Sequence, residues 1–190
     1  MRAFPGLLAG ALLVASAGFA QTAPDDADAP STSGVSAIRK LLEAPGKVVI
    51  ERVRGLDPVQ LDSGTVSVSA IGAFEPGAEE QRVLGLRIDL RTGAVSGADG
   101  QHYLDVHEIE AFLKGIFLLE QVAAESPAGY ESEADYLTVE GFRVGVTVRS
   151  SPRFWIEGGH EERTRTGISR DNVAKLRQRL ELARTRLFTE

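Results

Sequence analysis

The amino-acid sequence predicts an α+β fold, in which an antiparallel sheet of about six or seven strands has two main helices packed on it. Several segments alternate apolar and polar residues with a period of two, which is typical of strands with one face in the core and one in water. Two longer segments repeat their apolar residues every three or four positions, as amphipathic helices do. The order of strands and then a helix occurs twice, which raises the hypothesis of two strands-then-helix repeats.

The clearest strand covers 82–91, where four branched apolar residues alternate with Arg87 and Asp89. A hairpin is expected across Glu140 and Gly141, because glycine readily adopts the positive φ of a tight turn. The other strands are expected at 47–54, 65–74, 136–139, 142–149, 153–157 and 161–166. Loops are expected at 57–64, 75–80, 92–101 and 126–134, which contain Pro, Gly or runs of polar residues.

Both main helices have recognisable start signals. Asp105 is expected to cap the first helix, and Glu108 three residues later completes a capping box. This helix is expected to end near Glu125. Ser169 is expected to cap the second helix over 170–188, whose apolar seam recurs at steps of three and four.

The N-terminal segment has the composition of a secretory signal peptide. Residues 1–20 have a positive charge near the start, at Arg2, followed by an apolar run of about a dozen residues and then small side chains. This run is shorter than the roughly 20 residues that cross a bilayer, so no membrane span is expected after cleavage. Residues 21–34 lack large apolar side chains and are expected to form a disordered leader or tether. A single α+β domain is expected over 35–190, beginning with a short helix.

The composition limits the possible binding partners of the protein and its cellular compartment. The chain has no cysteine, which excludes disulfides and cysteine-ligated metals. It has 21 Lys and Arg against 27 Asp and Glu, a net charge of -6, which disfavours a nucleic-acid partner. Arg greatly outnumbers Lys, a bias of GC-rich bacterial genomes. Together with the signal peptide, this predicts a periplasmic or extracellular protein.

Only one short segment groups residue types that bind metals, namely His102, Asp105 and His107. Asp105 is expected at the helix cap, and His102 and His107 are expected on the surface. No metal site and no cofactor are therefore predicted.

Catalytic signatures are absent from the sequence, including the GxSxG, SxxK and HExxH motifs. The remaining weak candidates are His160 and Glu161, because an imidazole beside carboxylates can act as a general base inside a cleft. They follow a Gly-Gly turn, where charged residues are usually solvated.

The binding prediction rests on Trp155, whose neighbours Phe154 and Ile156 point to the opposite face of a strand. If no helix covers it, Trp155 is an exposed interface anchor; alternatively, the loop at 126–134 partly covers it. The predicted binding residues are Trp155, Arg143, Arg149, Arg153, Arg177 and Arg184, of which the last two belong to the basic final helix.

These observations favour an exported envelope protein that acts as a non-enzymatic binding or interaction module for an unknown protein or small ligand. One alternative is a small hydrolase or lyase that uses His160 with nearby carboxylates. Another is a structural subunit that associates with itself as a homo-oligomer.

Overall fold

The computed structural model describes residues 34–93, 100–125, 131–159 and 163–189. It confirms the α+β class, with antiparallel sheets and helices in one compact unit that spans Ser31–Glu190. The predicted signal peptide and all but the last residue of the predicted leader lie outside the described residues.

Nine strands and three helices are found in the described parts of the chain. Sheet A contains β1 (Ile50–Gly55), β2 (Val59–Leu61), β3 (Gly64–Phe74), β4 (Val83–Arg91) and β5 (Gly100–Asp105). Sheet B contains β6 (Ser132–Leu137), β7 (Arg143–Val148), β8 (Pro152–Gly158) and β9 (Thr164–Ile168). The helices are α1 (Ala37–Leu42), α2 (Val106–Glu125) and α3 (Arg170–Arg186), and a short 3-10 turn covers Glu79–Gln81.

All strand pairs are antiparallel. Sheet A has the order β1-β3-β4-β5, with β2 beside the first part of β3, and sheet B has the order β6-β7-β8-β9. The predicted single sheet is therefore two sheets. The order of strands and then a helix does occur twice, but with five strands before α2 and four before α3. A structural duplication remains a prediction.

One hydrophobic core joins both sheets and both long helices. The alternation expected in β4 is observed, because Leu86, Ile88 and Leu90 are fully buried while Arg87 lies on the other face. α2 contacts mainly β6 and β7, and α3 contacts mainly β2 and β3. Each long helix therefore packs chiefly on the sheet that it does not directly follow in the chain.

The sequence analysis missed two strands. β2 is a three-residue strand inside the expected loop at 57–64. β5 overlaps the end of the expected loop at 92–101 and was hidden because it does not alternate: His102, Tyr103 and Leu104 are all buried. The two faces of β5 are covered by different parts of the structure. On the outer face of sheet A, Tyr103 of this strand packs with α1.

The expected capping box at α2 is replaced by two longer-range interactions. The Asp105 carboxylate accepts hydrogen bonds from the backbone N–H groups of Ala37, at 2.9 Å, and Ile38, at 3.4 Å, so it satisfies donors at the start of α1. Glu108 Oε1 accepts from the Val139 N–H at 2.6 Å. By contrast, the Ser169 cap of α3 is confirmed, because its side chain accepts from the Asn172 N–H.

The hairpin between β6 and β7 places a buried carboxylate against sheet A. Gly141 has a φ of 85°, which gives the predicted positive φ of the turn. Glu140 Oε1 accepts from Ser36 Oγ at 2.5 Å and from Arg39 Nε at 3.0 Å. Its Oε2 accepts from Arg39 Nη2 at 2.9 Å and from the Tyr103 N–H at 2.8 Å. One side chain thus connects the turn of sheet B with α1 and β5.

His102 makes a second connection between the sheets, and its predicted surface position is wrong. The ring is fully buried, because β5 carries it between the two hairpin turns of sheet B. Nε2 accepts the Gly159 N–H at 3.2 Å, and Nδ1 lies 3.2 Å from the Glu140 carbonyl oxygen. An acceptor at Nε2 and a donor at Nδ1 together define a neutral ring that carries its proton on Nδ1.

The pKa values of the two buried glutamates are shifted in opposite directions, although burial acts the same way on both. Burial alone would raise the pKa of Glu140, but hydrogen bonds from Arg39, Ser36 and Tyr103 and the charge of Arg39 hold it below the ordinary value. At Glu108, burial dominates and raises the pKa, and the single backbone hydrogen bond from Val139 only partly opposes it. Ionised Glu140 therefore stabilises the fold, whereas ionisation of Glu108 costs stability.

The two Glu→Gln variants form a matched test of this contrast. Glu140→Gln should lower the free energy of unfolding at pH 7 by about 3 kcal/mol, because it leaves the charge of Arg39 without its buried partner. This loss should shrink as the pH falls through the lowered pKa of Glu140, where the wild-type carboxyl is also neutral. Glu108→Gln should be neutral or stabilising at pH 7, with a difference that also vanishes in acid. Urea denaturation from pH 8 down to below the lowered pKa of Glu140 measures both, and pH-independent losses of equal size would contradict the assignment.

Candidate binding groove on sheet B

The outer face of sheet B lies opposite the core. Val144, Val146 and Ile156 point inward to the core that contains both long helices. The outward-facing residues follow from the register, which pairs Gly145 with Trp155 and Trp155 with Gly167. This face therefore has Trp155 at its centre, between two strands that present glycine.

Trp155 is buried by its neighbours in the sheet, so the expectation of an exposed interface anchor is wrong. Only 5% of the residue is exposed. The indole occupies the space above Gly145, where an added Cβ would lie 2.2 Å from Trp155 Cζ2. On the indole face, the Arg165 guanidinium carbon lies 3.7 Å from the ring centroid, a close cation–π contact. Part of the alternative cover, residues 126–130, lies outside the described residues.

A groove of about 820 Å³ begins at this indole and extends across the ends of β7, β8 and β9. One wall is the turn between β2 and β3. The Asp62 N–H in this turn donates to the Gly167 carbonyl at 2.9 Å, and Ser63 Oγ lies 2.8 Å from Thr166 Oγ1. These bonds hold the wall against β9, so the groove is preformed.

The charges in the groove are unbalanced in favour of arginine. Its lining includes four arginines, Arg149, Arg153, Arg165 and Arg170, and two acids, Asp62 and Glu133. Arg165 is neutralised, because Nη1 lies 3.0 Å from Glu133 and Nε lies 3.2 Å from Glu157.

Arg149 is also paired, at 2.5 Å from Glu131. Arg153 and Arg170 are exposed and have no carboxylate within 4.0 Å among the residues that the structure describes. Arg170 is the first residue of α3, whose N-terminus adds a partial positive charge to the same end of the groove.

A buried hydrogen-bond donor also lies in the lining. Trp155 Nε1 has no hydrogen-bond partner among the described residues, although the indole is almost completely buried. Buried polar groups are normally paired, so this N–H is a place where an acceptor would be stabilised.

The structure brings together three of the predicted binding residues. Trp155, Arg149 and Arg153 line the groove. Arg143 lies on the same face but outside the groove, where its Nε is 3.8 Å from Asp135. The sequence analysis missed Arg165 and Asp62, because their roles depend on the pairing of β9 with β8 and on the wall made by the β2–β3 turn.

The other predicted binding surface, the basic face of the last helix, is largely engaged within the chain. Arg177 Nε lies 3.4 Å from Glu120, and Arg184 pairs with Glu110. Both acids belong to α2, so these arginines bridge α2 and α3, and neither lies in the groove.

Neither described histidine lines the groove. His102 is buried in the contact between the sheets, and His107 is exposed on α2. The predicted catalytic candidates His160 and Glu161 lie outside the described residues. In the described ranges, no group of three His, Asp or Glu side chains is arranged to hold a metal ion.

Comparisons with known protein families, with curated proteins and with solved structures find no match to this chain. The following interpretation is therefore based on the groove itself.

Arg165→Ala should uncover the single tryptophan of the chain. The variant loses the cation–π contact and two ion pairs, at a cost of about 0.5–1 kcal/mol because Arg165 is exposed. Trp155 emission should move to longer wavelength, and acrylamide should quench it more strongly. Arg163→Ala is the matched control, because Arg163 lies 3.7 Å from the same Glu157, whereas the guanidinium over the indole is that of Arg165. Identical spectra for both variants would show that Arg165 does not cover the ring.

Proposed function

We propose that this protein is an exported, non-enzymatic binding module and that the groove beside Trp155 binds an anionic ligand, either a small molecule or an acidic segment of a partner protein. The observation that carries the proposal is a preformed groove in which Arg153 and Arg170 are exposed without a carboxylate partner in the described structure.

The size and rigidity of the groove support a binding role. Its volume of about 820 Å³ lies within the roughly 300–1,000 Å³ of typical ligand sites. The floor is held by the packing of Trp155 between Gly145 and Arg165, and the wall is held by the bonds of Asp62 and Ser63. A ligand would therefore meet a formed surface, which reduces the entropy lost on binding.

The charge of the groove favours an anion. The whole chain carries a net charge of -6, so two arginines that have no carboxylate partner in the described ranges and lie beside a helix N-terminus form a local exception. Guanidinium groups bind carboxylates in a bidentate geometry. The hydroxyl groups of Ser150, Ser151 and Ser169 lie along the same lining and can hydrogen-bond to either ligand class.

The two alternative functions receive no specific support. A hydrolase or lyase would depend on His160, which lies outside the described residues. Self-association as a homo-oligomer likewise remains a prediction.

Export remains part of the proposal and is supported by the composition of residues 1–20. No described helix is long and apolar enough to cross a membrane. Native mass spectrometry of the full-length gene product, purified gently from its source, would test this part. A mature chain that begins at Gln21 is expected, and a chain that retains 1–20 would contradict it.

A titration with hexaglutamate distinguishes the groove from the basic helix. Trp155 emission should change saturably with the peptide, and Arg153→Gln with Arg170→Gln should weaken binding by tenfold or more. The matched control is Arg177→Gln with Arg184→Gln, which removes the same charge from the surface of α3 and should bind as the wild type does. Affinity should fall with added salt, because the attraction is between exposed charges. If the control pair loses binding and the groove pair does not, the groove assignment is wrong.

A further inference from the structure

A second pocket lies on the inner face of sheet A, where α3 ends. It has a volume of about 80 Å³ and is lined by four arginines, Arg52, Arg54, Arg82 and Arg186. Its apolar lining includes Phe74 and Leu84. This pocket is separate from the groove beside Trp155, because no described residue lines both.

The strand register brings residues of three strands together in the lining. Arg52 on β1 lies opposite Gly72 on β3, which lies opposite Leu84 on β4. Gly72 has no side chain, and Leu84 Cδ2 covers its position, because an added Cβ would lie 3.2 Å from that atom. The Arg52 guanidinium carbon lies 5.0 Å from the centroid of the Phe74 ring, so an aromatic face supports this cation at the edge of the pocket.

The end of α3 brings two further guanidinium groups into fixed positions. Arg54 Nη1 donates to the Thr189 carbonyl at 2.6 Å, and Arg186 Nη1 donates to the Gly55 carbonyl at 3.3 Å. Each guanidinium has five N–H donors, so most of the donors on both side chains are left for a ligand.

No acidic residue is found in the described lining of this pocket. Arg52, Arg54 and Arg186 have no carboxylate within 4.0 Å among the described residues. Three other arginines of α3 differ in this respect, because Arg177, Arg179 and Arg184 each have an acidic partner in the chain. Three arginines without an acidic partner among the described residues, Arg52, Arg54 and Arg186, therefore meet in this pocket, although the protein as a whole is acidic.

We propose that the arginine pocket binds a phosphate group. A phosphate presents oxygens in several directions and can accept from three separate guanidinium groups, whereas a carboxylate has only two oxygens. The volume of about 80 Å³ corresponds to two or three waters at roughly 30 Å³ each. The pocket therefore takes the charged group alone, and the rest of the ligand lies outside.

The surroundings are compatible with a ligand that has an apolar part. Ile50 precedes Arg52 on the same face of β1 and is 38% exposed, and Phe188 follows the lining residue Leu187 and is 66% exposed. The phosphate belongs either to a soluble phosphate ester or to a lipid head group at a membrane surface.

Two assays on the full chain distinguish these sources. Glycerol 3-phosphate is titrated by calorimetry with glycerol as the neutral control, and sedimentation with phosphatidylglycerol vesicles is compared with phosphatidylcholine vesicles. Arg52→Gln with Arg54→Gln should reduce the affinity for the phosphate ester, for the anionic vesicles or for both by tenfold or more. Arg153→Gln with Arg170→Gln, in the groove, removes the same charge and should reduce either affinity less than the arginine-pocket pair does. An equal or larger loss in the groove pair would contradict the assignment to the arginine pocket.

Arg52→Gln alone is the second variant, because Arg52 is exposed and donates no hydrogen bond in the described structure, so the fold should tolerate its loss. It should weaken binding at least threefold. A response to the phosphate ester alone identifies a soluble ligand, and a response to the anionic vesicles alone identifies a lipid head group. Absence of binding in both assays, or wild-type affinity in both arginine-pocket variants, would overturn the proposal. Neither result would affect the groove, which is measured through Trp155 emission with a different probe.

Discussion

The buried carboxylate of Glu140 is the interaction on which the arrangement of the two sheets depends. An ionised carboxylate with 2% of its side chain exposed would be unstable without partners, and this one accepts five hydrogen bonds, two of them from Arg39 and two from Ser36. Its donors come from α1 and β5, while Glu140 itself belongs to the hairpin turn of sheet B. The adjacent His102 extends the connection to the turn after β8, so neither sheet can move here without breaking buried hydrogen bonds.

The crossed packing of the long helices explains why the outer faces of the sheets differ. α2 and α3 both occupy the shared core, and ion pairs from Glu110 to Arg184 and from Glu120 to Arg177 join them. The outer face of sheet A is partly covered by α1, through contacts of Ile38 with the sheet. On the outer face of sheet B, the lining of the groove comes instead from the strands, the β2–β3 turn and the start of α3. The groove is therefore open because the two long helices pack in the core and α1 packs on the outer face of sheet A.

Arginine has three different roles in this acidic chain. Arg39 neutralises a buried carboxylate, and Arg165 combines two ion pairs with a contact over an indole. These side chains are already satisfied and mainly stabilise the structure. Arg153 in the groove and Arg52 in the arginine pocket lack a carboxylate partner among the described residues, so their charges remain available to ligands. The presence or absence of a carboxylate partner therefore separates the arginines that stabilise the fold from those that can bind a ligand.

The sequence by itself determined the α+β class, the alternating strands, the hairpin at Gly141 and the Ser169 cap with its helix, because these depend on local periodicity and on the conformational preferences of single residues. It also identified Trp155, Arg149 and Arg153, which line the groove. Only the tertiary structure decided that Asp105 accepts from N–H groups at the start of α1, that β5 is a strand buried on both faces and that Arg165 covers the indole. Those outcomes depend on partners that lie from 10 to 68 positions away in the chain. Local pattern contains no information about such partners, whereas the packing of the two sheets brings them into contact.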